Sequence, residues 1–146
     1  MTAEDKAVRM LGAARTIAVV GMSANPAKAA HRVPAELVAA GWHVIPVNPN
    51  ADTVLGLHAY DRLDEIDEHV DLVDVFRPAR DAPEVTRQAV AIGAGGVWLQ
   101  LGIVSAEARA IAEGAGLDYV ENICINVVRQ VWRVTPPSSP PPPPAS

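Results

Sequence analysis

Polar and cationic residues follow two apolar runs of the chain in patterns that suit phosphate binding. The first run leads into Gly21–Pro26, where Gly21 allows the backbone to approach a phosphate and Ser23 can donate a hydrogen bond to it. A later run leads into Phe76, Arg77 and Arg80. An aromatic ring can pack on an adenine, and a planar guanidinium can meet two phosphate oxygens. These residue types favour a nucleotide-like ligand.

Each of these features also has a structural explanation. A dinucleotide fingerprint has three glycines at fixed spacing, whereas this loop has only Gly21, which a tight turn would explain as well. The segment also approaches the Gly-x-Ser-x-Gly nucleophile elbow, but Asn25 stands in place of the last glycine. The two arginines could be solvated, or could pair with Asp81 and Glu84.

Two further loops carry polar residues at the ends of apolar runs. One run ends in Val47-Asn48-Pro49, where an NAD-binding domain usually has an acidic residue for the ribose hydroxyls, so ordinary NAD binding is disfavoured. The other contains Gln100, a polar residue within an apolar run, followed by Gly102. A buried glutamine needs a hydrogen-bond partner, which a ligand or a neighbouring loop could supply.

The elements that position these residues are predicted from the alternation of β-branched runs with helical segments. Strand starts are separated by 22 to 28 residues, which is about what one crossover helix and two loops require. The pattern predicts a five-stranded, mostly parallel, doubly wound α/β sheet with helices on both faces. In such a sheet the ligand lies beyond the carboxyl ends of the strands. The predicted strands are Thr16–Met22, His43–Val47, Asp71–Phe76, Gly96–Leu101 and Asp118–Glu121.

Helix signals lie between the strands. Pro34 is predicted to occupy the first turn of a helix that stops at Gly41, and Asp81 with Glu84 has the spacing of a capping box. Only a short helix is expected between residues 57 and 70. Two further helices are predicted, from Ala3 to Ala14 and from Ser105 to about Gly114.

Composition limits the class of protein. The 146 residues are predicted to form one domain over 1–134, followed by a mobile, polyproline-II-like tail over 135–146, where seven of twelve residues are proline. A net charge of −5 disfavours nucleic acid, and no apolar run is long enough to cross a membrane, so a cytoplasmic protein is expected. The histidines lack metal-ligand spacing, although His31 is placed near the first loop. The lone Cys124 is interpreted as a small core residue.

Together, these segments resemble the small CoA-binding domain family, the free-standing relatives of the CoA-binding domain in the succinyl-CoA synthetase α subunit. The resemblance covers about residues 10 to 130, and the order of Val-Asn-Pro, Asp-Val-Phe-Arg and Trp-Leu-Gln-Leu-Gly is its most specific part. The matching stretches are Ile17 to Ser23, His31 to Pro34, Ile45 to Asn50, Gly56, Asp71 to Pro78, Val97 to Gly102 and the region around Cys124.

The resemblance implies a Rossmann-like fold and a ligand that is coenzyme A or a CoA thioester. The diphosphate would lie over Gly21 to Ser23, and the cations Lys28 and Arg32 would neutralise phosphates. The adenosine end would lie near Asn48, Pro49, Phe76 and Arg77, and the loop of Gln100, Leu101 and Gly102 would complete the cleft. The ligand-binding residues expected from the resemblance are therefore Gly21, Met22, Ser23, Lys28, Arg32, Asn48, Pro49, Phe76, Arg77, Gln100, Leu101 and Gly102.

The leading hypothesis is a protein that binds coenzyme A or acyl-CoA as a carrier, sensor or subunit, without catalytic residues or a metal of its own. One alternative is a component of a CoA-dependent ligase or transferase whose remaining chemistry comes from another chain. Another is a regulatory module that binds NAD or ADP. A partner protein or a homodimer remains open. All of this depends on Ser23, Asn48, Arg77 and Gln100 converging on one crevice.

Overall fold

A five-stranded parallel sheet forms the centre of the computed structural model, which describes residues 1–138. Its strand order is β2-β1-β5-β6-β7, and a separate antiparallel hairpin pairs β3 with β4. The prediction of a single doubly wound α/β fold is confirmed. The strands are β1 Thr16–Val20, β2 His43–Val47, β3 Thr53–Val54, β4 Leu57–His58, β5 Leu72–Val75, β6 Gly96–Leu99 and β7 Asp118–Val120.

Within residues 1–138, five α-helices cover the two faces of the sheet. The helices are α1 Ala3–Ala13, α2 Ala29–Ala39, α3 Ala82–Ala91, α4 Ala106–Gly114 and α5 Ile125–Val131. One apolar core contains Leu11 of α1, Leu37 of α2 and Ile125 of α5, and the other contains Val85 of α3 and Ala108 of α4. The layer of α1, α2 and α5 therefore lies opposite the layer of α3 and α4.

Burial on both faces explains the nearly continuous apolar strands. Because successive side chains point to opposite faces, Val19 of β1 joins the core beneath α1, α2 and α5, whereas Ala18 joins the other core. In β6, Trp98 joins the core beneath α1, α2 and α5, and Val97 joins the other core. No helix within residues 1–138 is long and apolar enough to cross a membrane.

Two helix starts differ from the prediction. Pro34 is the sixth residue of α2, not part of its first turn, although Gly41 does end this helix with a φ of 106°. At α3, Asp81 is the N-cap residue but makes no side-chain capping bond. Its carboxylate instead accepts a hydrogen bond from Arg77 Nη2 at 2.9 Å, so the predicted capping box is wrong. By contrast, Ser105 Oγ accepts from Ala108 N at 3.0 Å and caps α4 as predicted.

Three segments had weaker sequence signals. The short helix expected between residues 57 and 70 is a single 3₁₀ turn at Leu63–Glu65, preceded by the β3–β4 hairpin. Helix α5, which was not predicted, follows β7 after a short connection. The proposed tail begins within the described residues, where Pro137 O accepts a hydrogen bond from Arg15 Nη1 at 3.4 Å. The prediction for 139–146 lies outside them, and the domain boundary at 134 stays a prediction.

Candidate functional site

A cleft of about 480 Å³ opens at the carboxyl ends of β1, β2 and β5. Strand β1 lies between β2 and β5. After β1 the chain forms β2 on one side of it, and later forms β5 on the other side. This reversal is the topological switch point at which open α/β sheets bind ligands. The cleft is lined by Val20, Gly21, Ser23, Lys28, Val47, Asn48, Pro49, Asn50, Asp61, Arg62, Arg77, Val85 and Gln88.

Gly21 lets the loops after β1 and β5 approach each other closely. Its φ is 87°, and its amide donates to Val47 O at 3.0 Å. A Cβ atom built at this position would lie 2.9 Å from Phe76 O and 3.0 Å from Arg77 Cδ. Both the backbone conformation and the contact with a neighbouring carbonyl therefore require glycine.

The loop after β1 is held by the first turns of α2. Pro34 has no N–H to donate to the carbonyl of Ala30, four residues earlier, and that carbonyl accepts from Ser23 N at 3.1 Å. His31 Nδ1 lies 2.7 Å from Ser23 O, and because a carbonyl only accepts, Nδ1 carries the hydrogen. Ser23 Oγ accepts from Asn25 N at 3.0 Å, which leaves the hydroxyl hydrogen to donate elsewhere.

Asn48 joins the loops after β1 and β2. Its Nδ2 donates to Met22 O at 2.9 Å, and its Oδ1 accepts from Asn50 N at 2.8 Å. Both polar atoms of the amide are therefore used within the protein. Asn48 fixes the wall of the cleft, and the exposed ring of Pro49 beside it forms part of the surface.

The cleft is locally cationic although the chain carries a net charge of −5. Among the residues that the structure describes, Lys28, Arg62 and Arg77 line it, against Asp61 as the one acidic residue. Lys28 is also the N-cap residue of α2, whose positive dipole end adds to the attraction for an anion. Arg77 is held by its ion pair with Asp81 but is half exposed at the side chain. This arrangement is suited to several phosphate groups.

The structure brings six of the predicted binding residues to the cleft. They are Gly21, Ser23, Lys28, Asn48, Pro49 and Arg77. Three others from the same loops lie outside it. The Met22 side chain is fully buried, Phe76 packs partly buried against the core on the α1, α2 and α5 face, and Arg32 donates to Ala27 O on the exposed surface. Phe76 was expected to pack on an adenine, but its ring contributes to the core.

The loop after β6 also lies away from this cleft, which corrects the expected convergence of four side chains. Gln100 is buried, donates through Nε2 to Asp74 Oδ1 and accepts through Oε1 from Ile125 N at 3.3 Å. Gly102 N donates to Asn122 Oδ1 at 2.7 Å, and Leu101 is exposed at a second groove. A neighbouring strand and helix, rather than a ligand, satisfy the hydrogen bonds of Gln100.

The partner of Gln100 is itself unusual. Asp74 lies fully buried in the central strand β5, and its Oδ2 has no hydrogen-bond partner. Burial raises the pKa of this carboxyl to about 7, while the bond from Gln100 acts in the opposite direction. Asp74 is therefore largely protonated below neutral pH.

Comparison with known proteins assigns the family. A family model described as a CoA binding domain matches residues 15–130, most of the chain. The chain belongs to the CoA-binding domain family. This confirms the resemblance carried by the Val-Asn-Pro, Asp-Val-Phe-Arg and Trp-Leu-Gln-Leu-Gly segments.

The relatives of this chain include short proteins and a larger enzyme. Uncharacterized protein YneT of Bacillus subtilis (strain 168) is 36% identical over 122 residues, covering 84% of this chain and 90% of that one. A hypothetical protein from Pyrococcus horikoshii OT3 superposes with a TM-score of 0.85 at 34% identity, covering 92% of each chain. Acetate–CoA ligase [ADP-forming] II of Archaeoglobus fulgidus is 31% identical over 101 residues. The match covers 68% of this chain but only 15% of that ligase.

Several cleft residues of this CoA-binding domain were not identified from the sequence. Asp61 and Arg62 lie in the segment for which the sequence predicted only a short helix, but Tyr60 pairs with β2 through Val47 and brings them to the cleft. Val85 and Gln88 lie on α3. The only available signal for Gln88 is its three-residue spacing from Val85, which places both on one side of the helix.

Proposed function

We propose that this chain binds coenzyme A, with the phosphates of the ligand in the cleft at the carboxyl ends of β1, β2 and β5. The observation that carries the proposal is the meeting of Lys28, Arg62 and Arg77 at the switch point of a chain that is acidic overall. The diphosphate would lie against Ser23 and the N-terminal end of α2, where a helix dipole and backbone amides attract anions. The adenosine would lie beside Pro49.

We further propose that the chain acts as a carrier, sensor or subunit, and does not catalyse a reaction by itself. Its relationship to a domain that makes up a small part of an acetate–CoA ligase supports a second candidate, in which the chain supplies CoA binding to a partner enzyme. Either role fits a cytoplasmic protein, as the sequence predicts. Turnover of an acyl-CoA by the purified chain alone would overturn the non-catalytic proposal.

Calorimetry with CoA, dephospho-CoA, ADP and NAD tests the choice of ligand. CoA is expected to bind most tightly, because its 3′-phosphate adds an anion for the three cations. NAD is expected to bind weakly, because β2 ends in Val47-Asn48-Pro49 without an acidic residue for the ribose. Equal affinity for CoA and NAD would contradict the proposal.

Arginine variants test the position of the phosphates. Arg77→Ala should weaken CoA binding roughly tenfold or more, because charge-assisted hydrogen bonds to phosphate are lost. Arg80→Ala is the matched control, since Arg80 is a neighbouring exposed arginine that does not line the cleft. If the 3′-phosphate is the group bound, Arg77→Ala or Lys28→Ala should weaken CoA more than dephospho-CoA. Equal losses for both ligands would remove that assignment.

A further inference from the structure

An apolar groove of about 390 Å³ lies beside α5, separate from the cationic cleft. Four of its large apolar side chains are unusually exposed: Leu101 by 69%, Val131 by 65%, and Val127 and Trp132 by 53% each. Contiguous exposed apolar surface marks a binding site more often than scattered single residues do. The groove is lined by Glu4, Leu101, Asn122, Ile123, Cys124, Val127, Val128, Val131 and Trp132.

The groove begins at the same edge of the sheet as the cleft. Leu101 follows β6 and Cys124 follows β7, so both lie at carboxyl ends of strands. Contacts connect each loop along this edge to its neighbour. Gly21 lies against Phe76, Gln100 N donates to Val75 O at 3.2 Å, and Gly102 N donates to Asn122 Oδ1 at 2.7 Å.

The spacing of the strands at which the two sites begin is compatible with one elongated ligand. Three strand spacings separate β1 from β7, which is roughly 14 Å at the usual distance between strands. A ligand with its phosphates at β1 and an extended arm along the rim can therefore reach the groove. Coenzyme A has this form, because the pantetheine arm separates its sulfur from its phosphates.

We propose that the groove binds the acyl chain of an acyl-CoA whose phosphates lie in the cationic cleft. This inference rests on the proposed CoA binding and adds that the bound thioester carries an apolar acyl chain. The volume of the groove lies within the range of small-molecule sites, and its mostly apolar lining suits an apolar acyl chain. Glu4 is the one charged residue lining the groove within the described part of the chain. Its carboxylate favours an acyl chain ending in a methyl group over one ending in a carboxylate.

A chain-length series tests the proposal. The full chain is titrated by calorimetry with CoA, acetyl-CoA, hexanoyl-CoA, octanoyl-CoA and succinyl-CoA, each below its micellar concentration. Affinity should increase about two- to fourfold for each added methylene until the groove is filled, as the transfer free energy of a buried methylene requires. Succinyl-CoA should bind no more tightly than CoA. Equal affinity for CoA and octanoyl-CoA would overturn the proposal.

Two valine variants test whether the gain in affinity from the acyl chain arises in the groove. Val131→Asp places a charge in the groove and should remove the gain from octanoyl-CoA while leaving CoA affinity unchanged. Val104→Asp is the control, because Val104 is 52% exposed but does not line the groove. Both positions are on the surface, and circular dichroism checks that both variants fold. A chain-length dependence that survives Val131→Asp would overturn the proposal, as would an equal loss with Val104→Asp.

The same experiments separate this proposal from the others. If neither CoA nor its thioesters bind, the proposed function itself fails, and this inference fails with it. If CoA binds and the acyl chain adds nothing, only the inference fails. A second copy of the chain is the alternative occupant. Sedimentation showing a dimer that Val131→Asp dissociates, with no chain-length dependence of binding, would assign the groove to that copy.

Discussion

The two halves of the carboxyl edge present different side chains at the surface. Beside β1, β2 and β5, Lys28, Arg62 and Arg77 face a cleft. Beside β6 and β7, Gln100 bonds to Asp74 inside the protein and Asn122 bonds to Gly102, while apolar side chains form the exposed surface. Residue type alone therefore does not distinguish a side chain that is available to a ligand from one with a structural role. The burial of the side chain and its hydrogen bonds within the protein make that distinction.

The buried pair of Asp74 and Gln100 offers the strongest test of this contrast between the two halves. Because the pKa of Asp74 is raised to about 7 in the folded chain, the unfolded chain releases this proton at lower pH than the folded chain. Stability is therefore lost as pH rises from about 4 to about 7, and the loss is roughly 4 kcal/mol. Asp74→Asn should have similar stability to the wild type near pH 4 and be several kcal/mol more stable at pH 8.

Denaturant unfolding of both proteins across this pH range measures the difference. A stability difference between Asp74→Asn and the wild type that stays constant from pH 4 to pH 8 would contradict the buried, protonated carboxyl. CoA affinity should change little, because Asp74 does not line the cleft.

Gly21→Ala tests the closeness of the loops in the cationic half. The substitution adds the strain of a positive φ to a contact of 2.9 Å with a carbonyl oxygen, so we expect a loss of about 3 kcal/mol in unfolding free energy, together with weaker CoA binding. Gly56→Ala is the control. Gly56 also has a positive φ, but a Cβ atom built there would have no atom within 4 Å apart from its chain neighbours, so a loss of about 1 kcal/mol is expected. Equal effects of the two variants would show that the loop contact is unimportant.

Two glutamine variants distinguish the two halves of the carboxyl edge directly. Gln100→Ala leaves Asp74 and the amide of Ile125 without their partner, so stability should decrease by about 2 kcal/mol with little change in CoA affinity. Gln88→Ala, in the wall of the cleft, should weaken CoA binding with little change in stability. Thermal unfolding and calorimetry of both variants give the comparison. The reverse result would show that Gln100 contacts the ligand.

The ion pair of Arg77 should give the smallest effect. Asp81→Ala removes a partly exposed pair and should change stability by less than about 1 kcal/mol. Without the competing carboxylate, Arg77 can turn to phosphate, so CoA affinity should increase about two- to threefold. Calorimetry at low ionic strength is the sensitive measurement. Weaker CoA binding in this variant would indicate that Asp81 orients Arg77 for the ligand.

The strand order follows from long-range packing, but the strands themselves could be predicted. Strand spacing and continuous apolar runs gave β1, β2, β5, β6 and β7 to within about two residues at each end. Helix α5 follows β7 after a short connection, so no long polar interval separates them in the sequence. Its exposed Val127 and Val131 also obscure the usual pattern of one apolar helix face.

The site could be predicted only where backbone position determines function. Gly21, Ser23 and Asn48 follow strand ends, so their loops had to meet at the edge of the sheet. Gln100 also follows a strand end, but which way its side chain points depends on Asp74, a partner 26 residues away. Arg62 reaches the cleft through the pairing of Tyr60 with Val47, which no local pattern reveals.

A proline within α2 bears on the rate at which the proposed ligand would bind. Pro34 leaves the carbonyl of Ala30 free to accept a hydrogen bond from Ser23 N, so the loop after β1 is tied to the helix without a ligand. For the proposed coenzyme A, this bond would reduce the conformational entropy that the loop loses on association. The local positive charge would then steer the phosphates to a loop that is already in place.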